Sequence, residues 1–200
     1  MDILKQNILP YLKTSFEKSL LEAALYNLSD SSNKLRLNNF AYATRELTRH
    51  FLARLAPDAE VHNAPWFKPY NSEKPEMITR DQRIKYAIQG YLSDEFREEK
   101  LDVNLEEVSS SLKKSIDDLS KYTHVNPSTF DVDNKKIVNV SYNIMEDTLR
   151  FFMTIMDARI QVERAIYACI NEEMVSKFYY ETIDEIGILA THYEVLGYLV

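Results

Sequence analysis

The sequence predicts an all-α protein, a helical bundle of about five to seven helices. Three glycines in 200 residues leave few positions for the left-handed backbone that tight hairpin turns require. Apolar residues make up 45% of the chain, which is enough to build a core and argues against disorder. Along most of the chain, apolar side chains recur every three or four residues, the spacing that lines one face of an α-helix.

Two helices are predicted in the first quarter of the chain. An apolar stripe predicts the first over residues 11–28, and it extends back to residue 2 if Pro10 marks a kink or a new first turn. A polar loop follows. A second stripe predicts a helix over residues 35–55, which Pro57 ends.

The stretch 57–76 contains four prolines and no apolar periodicity, which predicts a long irregular segment. We expect its tryptophan and neighbouring aromatic residues to pack back onto the domain. The next helix is predicted over residues 80–98, with Thr79 as its N-cap. Gly90 is either a close-packing point within this helix or a break before a second helix capped by Ser93.

Three further helices are predicted, over residues 105–122, 135–172 and 172–191. Asn104 is expected to cap the first of them. The second is either one long helix or two helices broken near residue 143. The closing residues 193–200 are apolar and β-prone, so we expect them to begin a further, β-rich region, and the helical domain is assigned residues 1–192.

The counts of reactive residues exclude several classes of site. One cysteine forms no internal disulfide, and the four histidines lack the spacing of metal ligands, so we expect neither a metal site nor a cofactor. The first residues show no long apolar core or cleavage site, so no signal peptide is expected. The sequence also has no apolar run of about 18 residues, so no membrane association is expected and the cytoplasm is the expected compartment.

Charge is unevenly distributed along the chain. The formal net charge is −7, whereas a protein coated by nucleic acid is usually basic. Residues 34–54 nevertheless carry five basic residues and one acidic residue. A polyanion site would have to use such a local basic segment.

The first candidate site lies in this basic segment. Arg45 and Arg49 share a helix face, whereas Arg45 and His50, five positions apart, do not. Glu46 is the acidic residue among them. The alternative interpretation is a solvated basic face of a bundle helix, with His50 at its edge.

The second candidate site is the predicted end of the helix over 105–122, where Lys121, Tyr122, Thr123 and His124 follow one another. Histidine is suited to general acid–base chemistry near neutral pH, and a nearby hydroxyl and ammonium could position and neutralise a phosphate. The alternative is a helix C-cap, in which His124 satisfies terminal carbonyl groups.

Basic residues in two other helices complete the candidates. Arg80 and Arg83 lie three positions apart on one helix face, which suits a phosphate or, alternatively, ion pairs with acidic residues near Asp94. Arg159 and the other charged residues of the segment 135–172 are interpreted as ion pairs on a solvated face.

Four blocks of the sequence resemble the bacterial family of predicted pPIWI-associating nucleases. In order they are AYATRELTRHFLARLAPD, PWFK, ITRDQRIKYAIQGYLSDEF and LSKYTHVNPSTF, and the resemblance extends over residues 36–192. It implies a nuclease that acts in defence against phage and plasmids, with partner proteins encoded beside it. Ala64 stands where family members often have a cysteine, and the family's β-rich C-terminal region has no counterpart in this sequence.

The helical part is also similar to the HEPN superfamily, all-α bundles that are commonly dimeric and cut RNA without a metal. This resemblance implies RNA as substrate, a homodimer, and His124 as a catalytic histidine at a helix end. Arg45 and Glu46 would supply polar groups from an earlier helix, and Lys121 would stabilise charge on the phosphate. An arginine four to six residues before His124, usual in that superfamily, is missing.

Two functional hypotheses follow. The first is a metal-independent RNA endonuclease, with Arg45, Glu46, Lys121 and His124 as catalytic residues. The residues assigned to substrate binding are either basic or carry a hydroxyl group: Arg49, His50, Arg80, Arg83, Tyr122 and Thr123. The second is a non-catalytic module for dimerisation, or a scaffold for a nuclease or sensor domain in the C-terminal region or a partner protein.

Overall fold

The computed structural model describes residues 1–100 and 105–170. Within these residues the chain forms α-helices and one short 3-10 helix but no strand, which confirms the all-α class. The α-helices are α1 (Asp2–Ile8), α2 (Ser15–Ser29), α3 (Arg36–Leu55), α4 (Asp58–Asn63), α5 (Arg80–Gln89), α6 (Asp94–Lys100), α7 (Leu105–Thr123) and α8 (Asn134–Ile170). The described part thus contains eight α-helices, more than the expected five to seven. The excess comes from the short helices α1, α4 and α6, which were not predicted as separate helices.

The first predicted helix begins later than expected. Residues Leu9–Tyr11, with Pro10 at their centre, form the 3-10 helix, and α2 begins at Ser15. Thr14 sets this start through a capping box, since its hydroxyl accepts a hydrogen bond from the backbone of Glu17 at 3.1 Å and Glu17 accepts one in return. The apolar stripe alone does not reveal such a cap.

The segment 57–76 is less irregular than predicted. Its first part forms α4, so the expectation of a wholly irregular segment is wrong there. Pro57 stands at the N-cap position, Asp58 and Glu60 lie in the positively charged first turn, and Val61 is buried. A helix this short shows little apolar periodicity, which explains the error.

The predicted helix over residues 80–98 is two helices. Thr79 caps α5, as predicted, and shares a capping box with Gln82. Gly90 ends α5 with φ 60° and ψ −129°, a conformation that a Cβ atom strongly disfavours. The Ser93 hydroxyl then accepts a hydrogen bond from the backbone N–H of Phe96 at 3.1 Å at the start of α6. Of the two alternatives for Gly90, the structure therefore shows the break before a second helix.

The two long helices agree with their predicted ranges. Helix α7 ends at Thr123, and α8 is continuous from Asn134 to Ile170, which decides between one helix and two in favour of one. The predicted cap at Asn104, the helix over 172–191 and the β-rich start at 193–200 lie outside the described residues.

The chain divides into two compact units. Unit 1 comprises Met1–Phe51 and Ser110–Thr154, and unit 2 comprises the described residues of Leu52–Ser109 and Ile155–Val200. In unit 1, Phe51 of α3 stacks on Phe152 of α8 with ring centroids 4.1 Å apart. No helix of the described ranges is long and apolar enough to cross a membrane.

Tyr86 and Arg159 lie in the core of unit 2. Tyr86 is fully buried, and burial raises the pKa of its hydroxyl far above the ordinary value. Arg159 is 4% exposed, and its Nη1 donates to the carbonyl of Ala87 at 2.7 Å. The interpretation of Arg159 as part of a solvated charge ladder is therefore wrong, because its guanidinium is buried and binds a carbonyl in the last turn of α5.

Candidate functional site

The end of α7 in unit 1 presents the predicted lysine and histidine to solvent. Lys121 and His124 are exposed, whereas Tyr122 and Thr123 are partly buried. The Thr123 hydroxyl donates to the carbonyl of Ser120 at 2.8 Å. The alternative interpretation had His124 capping the carbonyls at the end of this helix. In the structure Thr123 binds one of these carbonyls, and His124 is exposed to solvent.

A buried asparagine of α3 holds the backbone at this helix end. Asn38 is 3% exposed, and its Nδ2 donates to the carbonyls of Tyr122 at 3.0 Å and His124 at 3.3 Å. The same amide donates to the Thr129 hydroxyl at 3.1 Å, and that hydroxyl donates to the His124 carbonyl at 2.9 Å. The backbone of His124 is thus fixed by two side chains, which leaves its own side chain uncommitted to the fold.

The loop after His124 is built as a turn and docks on the start of α3. The Asn126 side chain accepts hydrogen bonds from the backbone and hydroxyl of Ser128, an Asx turn. Asp131 has φ 51°, donates its backbone N–H to the carbonyl of Lys34, and pairs its carboxylate with the Lys34 ammonium at 2.9 Å. These contacts tie the α7 end and α3 together within unit 1.

The basic group of α3 is partly occupied by its own members. Arg49 pairs with Glu46 at 2.8 Å, and its Nη2 lies 2.8 Å from Nε2 of His50. Because arginine only donates, Nε2 of His50 is the acceptor in this contact. The His50 ring also packs edge-on against Phe16, with centroids 4.7 Å apart. Arg49 and His50 therefore contact each other. The spacing of His50 from Arg45, considered from the sequence, did not predict this contact.

Arg45 lies on α3 between these two groups. It is partly buried, one helical turn before Arg49 and seven residues after Asn38. Seven residues correspond to about 10 Å along the helix axis and nearly two full turns, so Arg45 and Asn38 lie on the same side of α3. Arg45 and the α7 end are both in unit 1, as the candidate site requires.

The predicted arginines of α5 belong to unit 2. Arg83 pairs with Asp58 at 2.6 Å and donates to the carbonyl of Ala56, the residue after α3, at 3.0 Å. The Arg83 hydrogen bond holds the pKa of the Asp58 carboxyl below its usual value. Arg83 thus connects the end of α3 to the start of α4, and the structure does not group Arg80 and Arg83 with the unit 1 residues.

The aromatic loop of unit 2 packs back onto its helices, as predicted. Trp66 donates its indole N–H to the carbonyl of Gly90 at 2.8 Å, and the Lys85 ammonium lies 4.4 Å from the Trp66 ring centroid. Lys85 also pairs with Asp94 at 2.6 Å. Desolvation alone would raise the pKa of Asp94, but hydrogen bonds from Lys85 and Gln89 outweigh it and lower that pKa.

Sequence reasoning missed Asn38 and Thr129, the two side chains that hold His124. The Asn126-Pro127-Ser128-Thr129 run is a turn sequence that could have indicated a structured loop. Within the part of the chain that the structure describes, no group of three or more His, Cys, Asp and Glu side chains could hold a metal ion.

The family of predicted pPIWI-associating nucleases matches residues 9–150, and the chain belongs to this family. The match covers α2, α3, α4, α5, α6 and α7 together with the first half of α8. It includes the end of α7 and the basic segment of α3. No curated protein and no solved structure matches the chain.

Proposed function

We propose that this chain is the helical domain of a bacterial defence protein that cuts RNA without a metal ion, in the manner of HEPN ribonucleases. The observation that carries the proposal is the end of α7, where the His124 imidazole is exposed while Asn38 and Thr129 hold its backbone. A general acid–base group needs this combination of a fixed position and access to substrate. Membership of a nuclease family supports the same interpretation.

In the proposed reaction, neutral His124 accepts the proton of a ribose 2′-hydroxyl. The 2′ oxygen attacks the adjacent phosphorus, the bond from phosphorus to the 5′ oxygen of the next nucleotide breaks, and the histidine returns the proton to that oxygen. The products are a 2′,3′-cyclic phosphate and a 5′-hydroxyl. Lys121 and Arg45 stabilise the added negative charge on phosphorus, and Glu46 orients the basic group of α3 through Arg49.

The binding residues divide between the two units. Tyr122, Arg49 and His50 of unit 1 are assigned to the RNA near the cut bond, and Thr123 to the geometry of the helix end. Arg80 and Arg83 of unit 2 are assigned to other phosphates of the RNA. A homodimer in the cytoplasm and partner proteins of a defence operon complete the proposal, as the resemblance to these families implies.

The test is RNA cleavage in the presence of EDTA. The wild-type chain should cut single-stranded RNA and leave 2′,3′-cyclic phosphate ends, which mass spectrometry identifies. His124→Ala should cut about 100-fold more slowly, as expected for loss of a general acid–base group. Val125→Ala, a change at the next exposed residue, is the matched control and should cut normally. Cleavage that EDTA abolishes, or that leaves 3′-hydroxyl ends, would overturn the proposal.

A second candidate function is a non-catalytic module that dimerises or supports a nuclease or sensor domain. The observation favouring it is that Arg49 and Arg83, two predicted RNA contacts, already bind side chains or carbonyls of the chain itself. In that case His124→Ala would leave every nuclease activity of the assembled system unchanged. Cleavage by the isolated chain would exclude it.

A further inference from the structure

Helix α3 carries an exposed tyrosine next to the residue that contacts the end of α7. Tyr42 is 56% exposed. It follows Asn38 by four residues, so the two side chains lie on the same side of α3, about 6 Å apart along the helix axis. The Asn38 amide donates to the backbone carbonyl of His124. Tyr42 therefore lies one helical turn beyond the contact that holds the candidate catalytic histidine.

The fold makes no polar or aromatic use of the Tyr42 side chain. Within the residues that the structure describes, it takes part in no hydrogen bond, ion pair or ring contact. A tyrosine ring is a large apolar surface with a polar tip, and it contributes to stability mainly when it is buried. Single exposed apolar side chains are nevertheless common on proteins, so the neighbours of the ring decide what it can bind.

The neighbours of Tyr42 along α3 are basic. Arg45 and Arg49 follow it by three and seven residues and lie on the same side of the helix. Arg45 is partly buried and makes no hydrogen bond or ion pair within the described part of the chain. Arg49 is already engaged by Glu46 and His50. The Tyr42 ring therefore has the unpaired guanidinium of Arg45 near it, while the acidic side chain on the same helix is neutralised by Arg49.

Another exposed tyrosine of unit 1 has the opposite surroundings. Tyr26 of α2 is 76% exposed. Glu22 and Asp30 lie four residues before and after it, so its neighbours on both sides carry negative charge. A polyanion is repelled by such a pair and attracted by Arg45. The charge of its neighbours, and not its exposure, therefore distinguishes Tyr42.

We propose that Tyr42 stacks on a base of the RNA next to the bond that is cut, an inference that rests on the proposed ribonuclease function. Proteins bind single-stranded nucleic acid by combining basic groups on the backbone with aromatic rings on the bases. Along α3, Tyr42 lies between Asn38, which holds His124, and Arg45. A nucleotide whose phosphate is bound by His124 and Arg45 places its base over the ring that lies between them.

The stacking contact defines the class of RNA that fits. Every base has a π face, so stacking on Tyr42 accepts all four bases. In an A-form duplex both faces of a base are covered by its neighbours, whereas the bases of loops and single strands are open to an aromatic side chain. RNA should therefore be cut in unpaired segments with little preference for sequence, and Tyr42 acts as a positioning residue for the unpaired nucleotide.

The first measurement is binding of a short 2′-O-methyl oligoadenylate to the 200-residue chain by fluorescence anisotropy. This strand has no free 2′-hydroxyl, so it binds without being cut. Tyr42→Ala should raise the Kd about 10-fold, as expected for the loss of one stacked base, and Tyr42→Phe should bind like wild type because it keeps the ring. Tyr26→Ala is the matched control and should also bind like wild type.

Three outcomes of this measurement would overturn the inference. They are a wild-type chain that does not bind the strand, a Tyr42→Ala variant that binds as tightly as wild type, and a Tyr26→Ala variant that loses as much affinity as Tyr42→Ala.

The second measurement uses the same strand without its bases. The wild-type chain should bind this abasic strand about 10-fold more weakly than the intact strand, and Tyr42→Ala should bind it with the same affinity as wild type. A role of Tyr42 in folding, or in contact with phosphate, would weaken binding of both strands alike and would contradict the inference.

These results are separable from the ribonuclease test. If RNA is cut through His124 while Tyr42→Ala binds both strands like wild type, the stacking inference fails and the proposed function stands. If binding depends on Tyr42 and on the bases while RNA stays intact, the proposed function fails and the assignment of Tyr42 to stacking is supported.

Discussion

The end of α7 in unit 1 and the Trp66 loop of unit 2 both dock a loop against helix termini, but they use different groups to do so. In unit 2 the large polar side chains themselves make the hydrogen bonds to the helix ends. The Trp66 indole donates to the Gly90 carbonyl, and the Arg83 guanidinium donates to the Ala56 carbonyl. In unit 1 the buried amide of Asn38 bonds the backbone of His124. Holding a residue by its backbone leaves its side chain available for chemistry.

This difference predicts which variants change stability and which change activity. Substitutions in the Trp66 loop should lower the free energy of unfolding because they remove internal hydrogen bonds. Substitution of an exposed side chain away from such contacts usually changes stability by less than about 0.5 kcal/mol. His124 should therefore affect activity alone, and Asn38 should affect both.

The largest effect is expected for Asn38→Asp. Asn38 is 3% exposed, and its amide donates to two carbonyl oxygens. A carboxylate at this buried position can only accept hydrogen bonds and would face those two oxygens. We therefore expect the unfolding free energy to fall by about 3 kcal/mol or more. Urea unfolding followed by circular dichroism measures it. Asn39→Asp, the same change at the next residue, should cost far less, and equal losses in the two variants would show that Asn38 does not hold the helix end.

The next effect in size is expected for Gly90→Ala. At φ 60° and ψ −129° a Cβ atom crowds the backbone, so we expect a loss of about 2 kcal/mol. Thermal unfolding measures this, with Glu95→Ala on the exposed face of α6 as control. A Gly90→Ala variant as stable as wild type would mean that the turn between α5 and α6 adopts another conformation.

A smaller effect is expected for Trp66→Phe. The variant keeps an aromatic ring but loses the hydrogen bond to Gly90 and weakens the contact with the Lys85 ammonium, so we expect a loss of about 1 kcal/mol. RNA cleavage should stay at the wild-type rate, because the loop has no assigned role in catalysis. Tyr70→Phe, at an exposed position of the same segment, should change neither property. A fall in cleavage with Trp66→Phe would remove the contrast between the two regions.

The smallest effect is expected for Asp58→Asn. Arg83 lowers the pKa of Asp58, so the ion pair contributes stability above the carboxyl's unfolded pKa and loses it as the pH falls through the folded pKa. Because the Asp58 side chain is 68% exposed, we expect under about 1 kcal/mol at pH 7. Wild type and variant should converge once the pH falls below the folded pKa of Asp58, and a difference that persists there would assign the effect to packing and not to charge.

Much of the fold could be predicted from the sequence because its signals are local. The Thr79 cap, the break at Gly90 and the long apolar period of α8 each depend on residues within a few turns of one another. Asn38 could not be recognised in this way, since its carbonyl partners lie 84 and 86 residues away in sequence. The same limit applies to Arg159, whose partner Ala87 is 72 residues away. Nothing in the sequence near Arg159 distinguishes it from an arginine on a solvated helix face.

The candidate site shows the same division. His124 at a helix end could be predicted, because the apolar period of α7 stops there. The pairing of Arg49 with His50 and the use of Arg83 at the end of α3 depend on tertiary packing and on side-chain direction, which spacing alone does not determine.

The most direct test measures the cleavage rate and the unfolding free energy of His124→Ala in the same preparation. We predict a cleavage rate about 100-fold below wild type, with an unfolding free energy within about 0.5 kcal/mol of it. This result would assign the exposed imidazole to chemistry and the backbone clamp to structure. A variant that cuts RNA at the wild-type rate, or one that loses activity only in proportion to lost folding, would contradict the account.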